Sequence, residues 1–566
     1  MSIQMKDIEF QTASYDQWKE EAIKALKGKP FETLFTNLAE DVTLSPLYTQ
    51  SMLVDKLGED LEKQIATIRS LQSSEQLLAA QQIFGDTAEQ FFAGLQDSIE
   101  RGNNCITIDS RTTFKWEEEN LQKLASYLIE YPFKFIVQNK NDSLLQVFNK
   151  FEQADKEKVN GFIISDSPVE LDDFDNVRTF CANTVTYHYE GANAVQELAI
   201  ALAIAAKQVK ENNFEQFSKN FFVNFAIDTQ FFVEIAKLRA FRVLWKAFSS
   251  AYGVTNPIAV PIVAENSLRS YSKLDVYVNL LRAGNEAFSG LIGGADAFTV
   301  HPHDVLSKPT DKSIRIARNV LLVLKEESQV ENVLDPAGGS YFVETLTAEF
   351  VEKAWALFLE IEEFGGFDAY VESGKLQASI VEVYNDRLKA VETRKQSLIG
   401  TNIYANPVDE LPAETNETFA SIKRLPIPFE QLREKYNAAQ PKIAILTFGK
   451  LKDFKPRADF VAGFFATAGV TPDQSGEILS VEIAKEWLQN VNYDYVIVAA
   501  KDEDTKELVP TLLSVKPENL ILDAAGKFKD EQSEWLEKGL NGFIFAGQNI
   551  VEKLNEVLES VKGVQQ

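Results

Sequence analysis

The sequence predicts an α/β protein built from two parallel-sheet domains: a (β/α)8 barrel followed by a doubly wound sheet of the flavodoxin type. Three observations carry this. The chain has 566 residues, more than one ordinary domain holds. From about Asn103, short β-rich runs alternate with amphipathic helical segments, giving seven or eight βα units over ~300 residues, the scale of a closed parallel barrel. From Lys442 a second alternation begins, with five strands and five helices. For the first series an open sheet is the competing arrangement, and strand counting does not exclude it.

The elements follow in order. Residues 1–50 read as an arm, with an amphipathic helix from Tyr15 to Leu26 and then "LFTNLAEDVTLSPLYT" in extended form. Residues 51–101 read as helical, because apolar positions recur three and four apart. The barrel strands are "NCITID", "FKFIVQ", "GFIISD", "VRTFCAN", "FFVNFAI", "IAVPIVA" and "DAFTVH". Segments such as "NAVQELAIALAIAAKQV" and "KSIRIARNVLLVLKEES" supply helices between them. Residues 401–440 carry Pro407, Pro412, Pro426 and Pro428 among polar residues and read as a linker wrapped on a surface. In residues 441–566 the strands are "KIAILTF", "EILS", "YDYVIVAA", "ENLILDAAG" and "GFIFAG". The domains are therefore an arm over 1–50, a barrel with leading helices over 51–400, the linker, and the terminal sheet domain.

Composition removes several function classes. A formal charge of -27 disfavours nucleic acid and anionic membrane as partners. No apolar run reaches the roughly 18 residues a membrane span needs, and the N-terminus has no apolar export core. Cys105 and Cys181 are the only cysteines, too few for a disulfide framework or a cysteine zinc site, and a reducing cytoplasm fits. The only histidines are His188, His301 and His303, so imidazole chemistry must use one of these or borrow one from another chain.

Four stretches are candidate sites. In "TVTYHYEGANAVQELA" a strand ends near Thr186 and a helix starts near Ala192, which puts Tyr187 and His188 at the C-terminal mouth of a barrel strand. A histidine there can hydrogen-bond a substrate carbonyl; the bland alternative is a loop histidine satisfied by backbone. In "TVHPHD", His301 and His303 have the spacing of a metal pair, but only Asp304 is near, so surface loop histidines are the default and no metal is expected. "LDPAGGSYFVE" joins a strand to a helix through two glycines and can approach a phosphate, but it lacks both dinucleotide spacing and a P-loop lysine. In "FFVEIAKLRAFRVLW", Glu234 and Lys237 have the spacing of an ordinary helix pair.

These segments, with "DVYVNLLRAGNEAFSG", "LSPLYT" and "RKQSLIGTN", resemble in sequence and order the methylmalonyl-CoA mutase family. The resemblance is strong over about residues 30–50 and 180–402, and mainly architectural over 442–566. It implies a radical rearrangement between methylmalonyl-CoA and succinyl-CoA that uses adenosylcobalamin. Catalytic chains of the family hold cobalt through an Asp-x-His-x-x-Gly loop after the first strand of the terminal domain. Counted back without gaps from Gly469, those positions are Lys452, Phe454 and Arg457. A phenyl ring has no lone pair for cobalt, and lysine cannot orient a ligating imidazole as an aspartate does. The early Pro-Phe-x-Arg-Gly stretch has no counterpart in residues 50–102, and the Arg-Thr-His-Ser loop corresponds to "PIVAENS". Tyr187 and His188 match the family's substrate-side Tyr-His pair and read as vestigial.

The resemblance thus implies the small subunit of a heterodimeric methylmalonyl-CoA mutase, with adenosylcobalamin in a large catalytic partner and none held by this chain alone. The arm is the expected partner contact. An isomerase holding cobalamin without a protein ligand, and a CoA-ester binding protein, are the alternatives.

Overall fold

The computed structural model describes residues 13–72, 76–112, 114–210 and 212–565. Helix Tyr15–Ala25 opens the described chain, capped by Ser14 and Gln17 in a reciprocal box. Two short antiparallel strands follow, β1 (Thr36–Asn37) and β2 (Thr43–Leu44). Val42 is buried against the main core, so the end of the arm is fastened to the body.

The next nine strands are β3 (Leu78–Ala79), β4 (Ile106–Asp109), β5 (Phe133–Ile136), β6 (Gly161–Ile164), β7 (Val177–Arg178), β8 (Phe180–Asn183), β9 (Phe221–Ile227), β10 (Ile262–Asn266) and β11 (Ala297–Thr299). They form two parallel sheets, ordered β3-β11-β10-β9-β8 and β4-β5-β6-β7. The sheets meet twice. β7 and β8 are one run of chain, separated by Thr179 alone, whose first part pairs with β6 and whose second part pairs with β9. At the other seam Gln82 bridges Thr107, and the Ile83 amide donates to the Thr107 carbonyl at 2.9 Å. Parallel pairing therefore passes round eight runs of chain and returns to β3.

The strand at this seam falls in the 51–101 region that reads as helical in the sequence. Helices Gln50–Leu57, Asp60–Ser70 and Ala88–Glu100 do occupy most of it. Yet Leu78–Ala79 and the residues up to Ile83 are extended, because "LLAAQQI" is a run buried on both sides. Short apolar runs of this kind do not distinguish strand from helix by periodicity.

Inside the ring Phe162 and Phe222 meet at 5.1 Å between ring centres, with Ile164, Cys181, Val263 and Ala297 around them. Outside, helices cover the strands. Helix Phe231–Ala251 is buried on most of its circumference, as a helix clasped between sheet and outer helices must be.

The last five strands are β12 (Ile443–Thr447), β13 (Asp473–Gln474), β14 (Tyr495–Ala499), β15 (Ile521–Ala525) and β16 (Gly542–Ile544). All pairings are parallel and the order is β13-β12-β14-β15-β16. The second strand lies at Asp473–Gln474 rather than at "EILS", where only Ile478 makes a bridge, to Phe448. The stretch read as a linker is half structured: helix Ile427–Ala439 sets Phe429, Leu432 and Tyr436 into the core beside β12. Among the described residues no helix is long and apolar enough to cross a membrane.

Candidate functional site

The sequence places Tyr187 and His188 in an open loop at the end of a strand. Instead the strand stops at Asn183, and residues Val185–Glu190 form a short helix closed by Gly191 at φ +126°. Successive residues of an α-helix are rotated by about 100°, which turns the two side chains apart. Tyr187 packs edge-on against Phe367, with ring centres 6.0 Å apart, on the outer side of the ring. His188 points inward and is fully buried.

Both nitrogens of His188 are engaged. Nδ1 lies 2.8 Å from Glu197 Oε1, and Nε2 lies 2.7 Å from Ser267 Oγ. The consistent assignment has Nδ1–H donating to Glu197 and the Ser267 hydroxyl donating to Nε2. Ser267 Oγ in turn accepts the Arg269 amide at 3.1 Å. Burial, followed by the nearby Arg269 guanidinium, pushes the imidazole down to about 4, against the pull of Glu197. It is therefore a neutral imidazole with no free nitrogen.

Around it lies a closed charge network. Glu197 Oε2 is 3.3 Å from Lys237 Nζ, which also reaches Glu234 Oε2 at 2.6 Å and the Ala226 carbonyl at 2.7 Å. Glu234 and Lys237 do form the i, i+3 pair that their spacing indicates, and the pair is buried, with one ammonium between two carboxylates. Burial drives Glu234 up to about 7, with Lys237 opposing and Glu197 adding to the rise. Arg269 grips Asp228 through Nε and Nη2 at 3.1 and 2.7 Å, and its Nη1 donates to the Ala192 carbonyl at 3.0 Å. Burial, the largest single influence, would raise Asp228, but Arg269, His188, Arg387 and the Thr229 amide together outweigh it and hold the carboxyl well below its usual range. Arg387 Nη1 donates to the Gly191 carbonyl at 2.9 Å.

A second polar group sits at the ring axis. Lys134 Nζ lies 3.4 Å from Glu265 Oε2 and 3.2 Å from Thr299 Oγ1. Glu265 Oε1 is 3.5 Å from both His301 Nε2 and the Tyr189 hydroxyl. Burial opposes ionisation of Glu265, but Lys134 and then His301 outweigh it and hold the carboxyl at about 2. His301 is accordingly no surface loop residue; it is 4% exposed and faces the axis. His303, equally buried, stacks on Tyr277 at 5.2 Å. The two histidines next but one in sequence point to different neighbours.

Sequence reading missed Lys134, Tyr189, Glu197, Asp228, Glu265 and Arg269. Two of these left a signal: a lone lysine inside the apolar strand "FKFI", and the polar run "ENS" directly after an apolar one. Both are charges that a strand buried on both faces tolerates only with partners.

"LDPAGGSYFVE" follows a 3-10 turn, Val330–Asn332, rather than a strand. Its polar atoms do not await a phosphate. Asp335 takes Arg239 Nε and Nη2 at 2.7 and 2.9 Å, and Glu344 takes Nη2 at 2.6 Å and the Gly339 amide at 2.8 Å. The motif encloses a buried guanidinium.

In the terminal domain, Lys452, Phe454 and Arg457 are not in a loop. The turn after β12 is short, and helix Leu451–Ala466 begins before Lys452. Lys452 is exposed. Phe454 is 4% exposed and packs in the core with Ala458 and Val461. Arg457 lies over the Phe528 ring at 5.5 Å and pairs with Asp502 and the Ala500 carbonyl. Among the described residues no group of three histidine, cysteine or acidic side chains is placed to hold a metal ion. The donor set here does not fit a ligated cobalt: the Phe454 ring is buried in the core and has no lone pair.

These features define an α/β protein of parallel sheets in which both nitrogens of the strand-end histidine, His188, are taken by neighbouring side chains. A family model described as methylmalonyl-CoA mutase matches residues 171–446. The methylmalonyl-CoA mutase small subunit of Porphyromonas gingivalis is 28% identical over 96% of this chain and 97% of its own length. The protein of the same description from Streptomyces virginiae is 30% identical over 68% of this chain and 65% of its own. That of Propionibacterium freudenreichii subsp. shermanii is 30% identical over 66% and 61%. The chain belongs to the methylmalonyl-CoA mutase family, and its likeness is to the small subunits.

Proposed function

We propose that this chain is the non-catalytic small subunit of a heterodimeric, adenosylcobalamin-dependent methylmalonyl-CoA mutase. It supports a large subunit that interconverts (R)-methylmalonyl-CoA and succinyl-CoA, and it works in the cytoplasm. On this reading the ring of residues 51–400 is a (β/α)8 barrel, and residues 441–566 are a flavodoxin-like domain of the cobalamin-binding type without the cobalt ligand. The strand order of the second sheet, with the first strand flanked by the second and third, supports the latter.

One observation carries the reading: Phe454, at the position of the family's cobalt-ligating histidine, is a core residue of a helix. Three others agree. His188 has both nitrogens occupied by Glu197 and Ser267, which leaves none for a substrate carbonyl. Phe162 and Phe222, with Ile164, Cys181, Val263 and Ala297, form a packed apolar cluster inside the ring. The arm helix Tyr15–Ala25 buries none of its residues in this chain, yet Tyr15, Trp18, Phe31 and Phe35 form a chain of aromatic contacts. Such a half-exposed aromatic surface is suited to covering a partner.

The test is a titration of the purified chain with adenosylcobalamin, followed in the visible spectrum, and a pull-down with a large subunit carrying Asp-x-His-x-x-Gly. The expected outcome is an unaltered cofactor spectrum with the lone chain and stable capture of the large subunit. Turnover by the lone chain that disappears in His188→Ala would refute the reading.

A further inference from the structure

Helices Ala88–Glu100 and Asp311–Ser328 follow β3 and β11, which are paired neighbours in the first sheet. They converge at one end, where a Cβ on Gly102 would stand 3.0 Å from Leu322 Cδ1. Towards the other end they are separated by a cleft of about 1110 Å³, roofed by the 414–418 segment. That volume belongs to sites for small organic molecules rather than for single ions.

The floor of this cleft has donors without acceptors. Arg318 is 3% exposed, and its Nε and Nη2 have no hydrogen-bond partner; its Nη1 is 3.6 Å from Asp97 Oδ2. Ser98 is 2% exposed, and its Oγ is also unpartnered. Both residues line the cleft. A guanidinium buried with two unpartnered nitrogens has lost its hydration without replacement from the protein, so a bound acceptor would stabilise it. Asp97 does not neutralise the floor, because it is shared with Arg101, whose Nε lies 2.6 Å away. Two guanidiniums face one carboxylate.

The walls are suited to an uncharged body. Ile83, Phe84, Pro309 and Ile314 supply apolar surface, and Ala93 and Gly94 keep the helix face low. At the mouth, exposed Asp86, Asp311, Glu414 and Glu417 stand against Lys308, Lys312 and Arg315, so the unbalanced positive charge of the cleft is on the floor, at Arg318 and Arg101.

We propose that this lateral cleft is a binding site for a small organic anion, whose carboxylate or phosphate is taken by the Arg318 fork and the Ser98 hydroxyl while its body lies along Ile83, Phe84 and Ile314. The site is separate from the His188 network and from the terminal domain, and it does not depend on the subunit reading above. A planar fork with two free N–H groups recognises either anion bidentately.

Calorimetry on the full chain with phenyl phosphate, benzoate and benzyl alcohol tests it. The three probes share a body and differ in the anion. At least one anion should bind with one-to-one stoichiometry and a Kd below about 1 mM, and benzyl alcohol should not. Which anion binds more tightly identifies the headgroup. Arg318→Met should weaken binding roughly tenfold or more. Ala93→Trp, at an exposed position on the cleft face, should block the body without disturbing the floor; equal thermal midpoints establish that both variants fold. The proposal fails if neither anion binds, if benzyl alcohol binds as well as they do, or if neither substitution changes affinity. In those cases ordered water satisfies the floor.

Discussion

His188 is held neutral by its surroundings, and that makes it a source of acid sensitivity. Its folded value, about 4, is below the ordinary 6.5, so the unfolded chain takes up the proton first as pH falls. The stabilising contribution is complete above pH 6.5 and is lost on acidification towards 4. From the linkage relation this amounts to about 2 kcal/mol by pH 5. Glu234, raised to about 7, titrates with the opposite sign: its contribution is present below its unfolded value and is lost as pH rises through 7. The raw stability profile therefore mixes the two. The difference between the native chain and His188→Gln, from urea unfolding at pH 7.5 and 5, isolates the histidine, and the gap should narrow or reverse at the lower pH.

Arg239 is the other residue on which much rests. It is the only cation reaching both Asp335 and Glu344 among their described ion pairs. Arg239→Ala leaves two buried carboxylates facing each other and should cost about 3–5 kcal/mol. Arg239→Lys, which keeps the charge but loses the fork, should recover only part of this in the same melts.

Among the elements, the short helix Val185–Glu190 decides the character of the strand-end site. It lifts Tyr187 outward and drives His188 inward, and Gly191 lets it end against helix Lys375–Glu392. Gly191 has φ +126°, and a Cβ there would stand 2.5 Å from Tyr384 Cβ and 3.0 Å from the Ile380 carbonyl. Gly191→Ala should therefore push that outer helix away and destabilise by more than about 2 kcal/mol. A loss of hydrogen-exchange protection confined first to residues 375–392 would identify the route. Helix Leu451–Ala466 plays the corresponding part in the terminal domain. Because it starts directly after the turn, residues 452–457 are helical, and Phe454 has a core to fill.

On the scale of the whole molecule, the second core begins inside the proline-rich stretch, with helix Ile427–Ala439, rather than at residue 441. Phe429, Leu432 and Tyr436 lie in the core of the second sheet, and the Tyr436 hydroxyl donates to the Leu554 carbonyl at 2.8 Å. A fragment of residues 441–566 lacks these side chains and should unfold without a sharp transition. A fragment of residues 421–566 should unfold cooperatively. Circular dichroism melts of the two make the comparison, and equal cooperativity would show that helix Ile427–Ala439 is dispensable.

The sequence by itself determined the alternation of strands and helices, seven of the ring's strand runs, and four of the five terminal strands, the exception being β13 at Asp473–Gln474 in place of "EILS". These are properties of local periodicity and residue type, which survive without knowledge of neighbours. The eighth run, Leu78 to Ile83, was not legible, because a short apolar stretch has no period until a partner strand gives it one. Nor was the fate of the polar side chains. Whether His188 is a free base or a saturated one, whether His301 faces solvent or the ring axis, and whether Arg318 has a partner all depend on groups 79, 36 and 221 positions away in the chain, Ser267, Glu265 and Asp97. Burial and the pairing of charges are long-range quantities, so only the tertiary structure decided them.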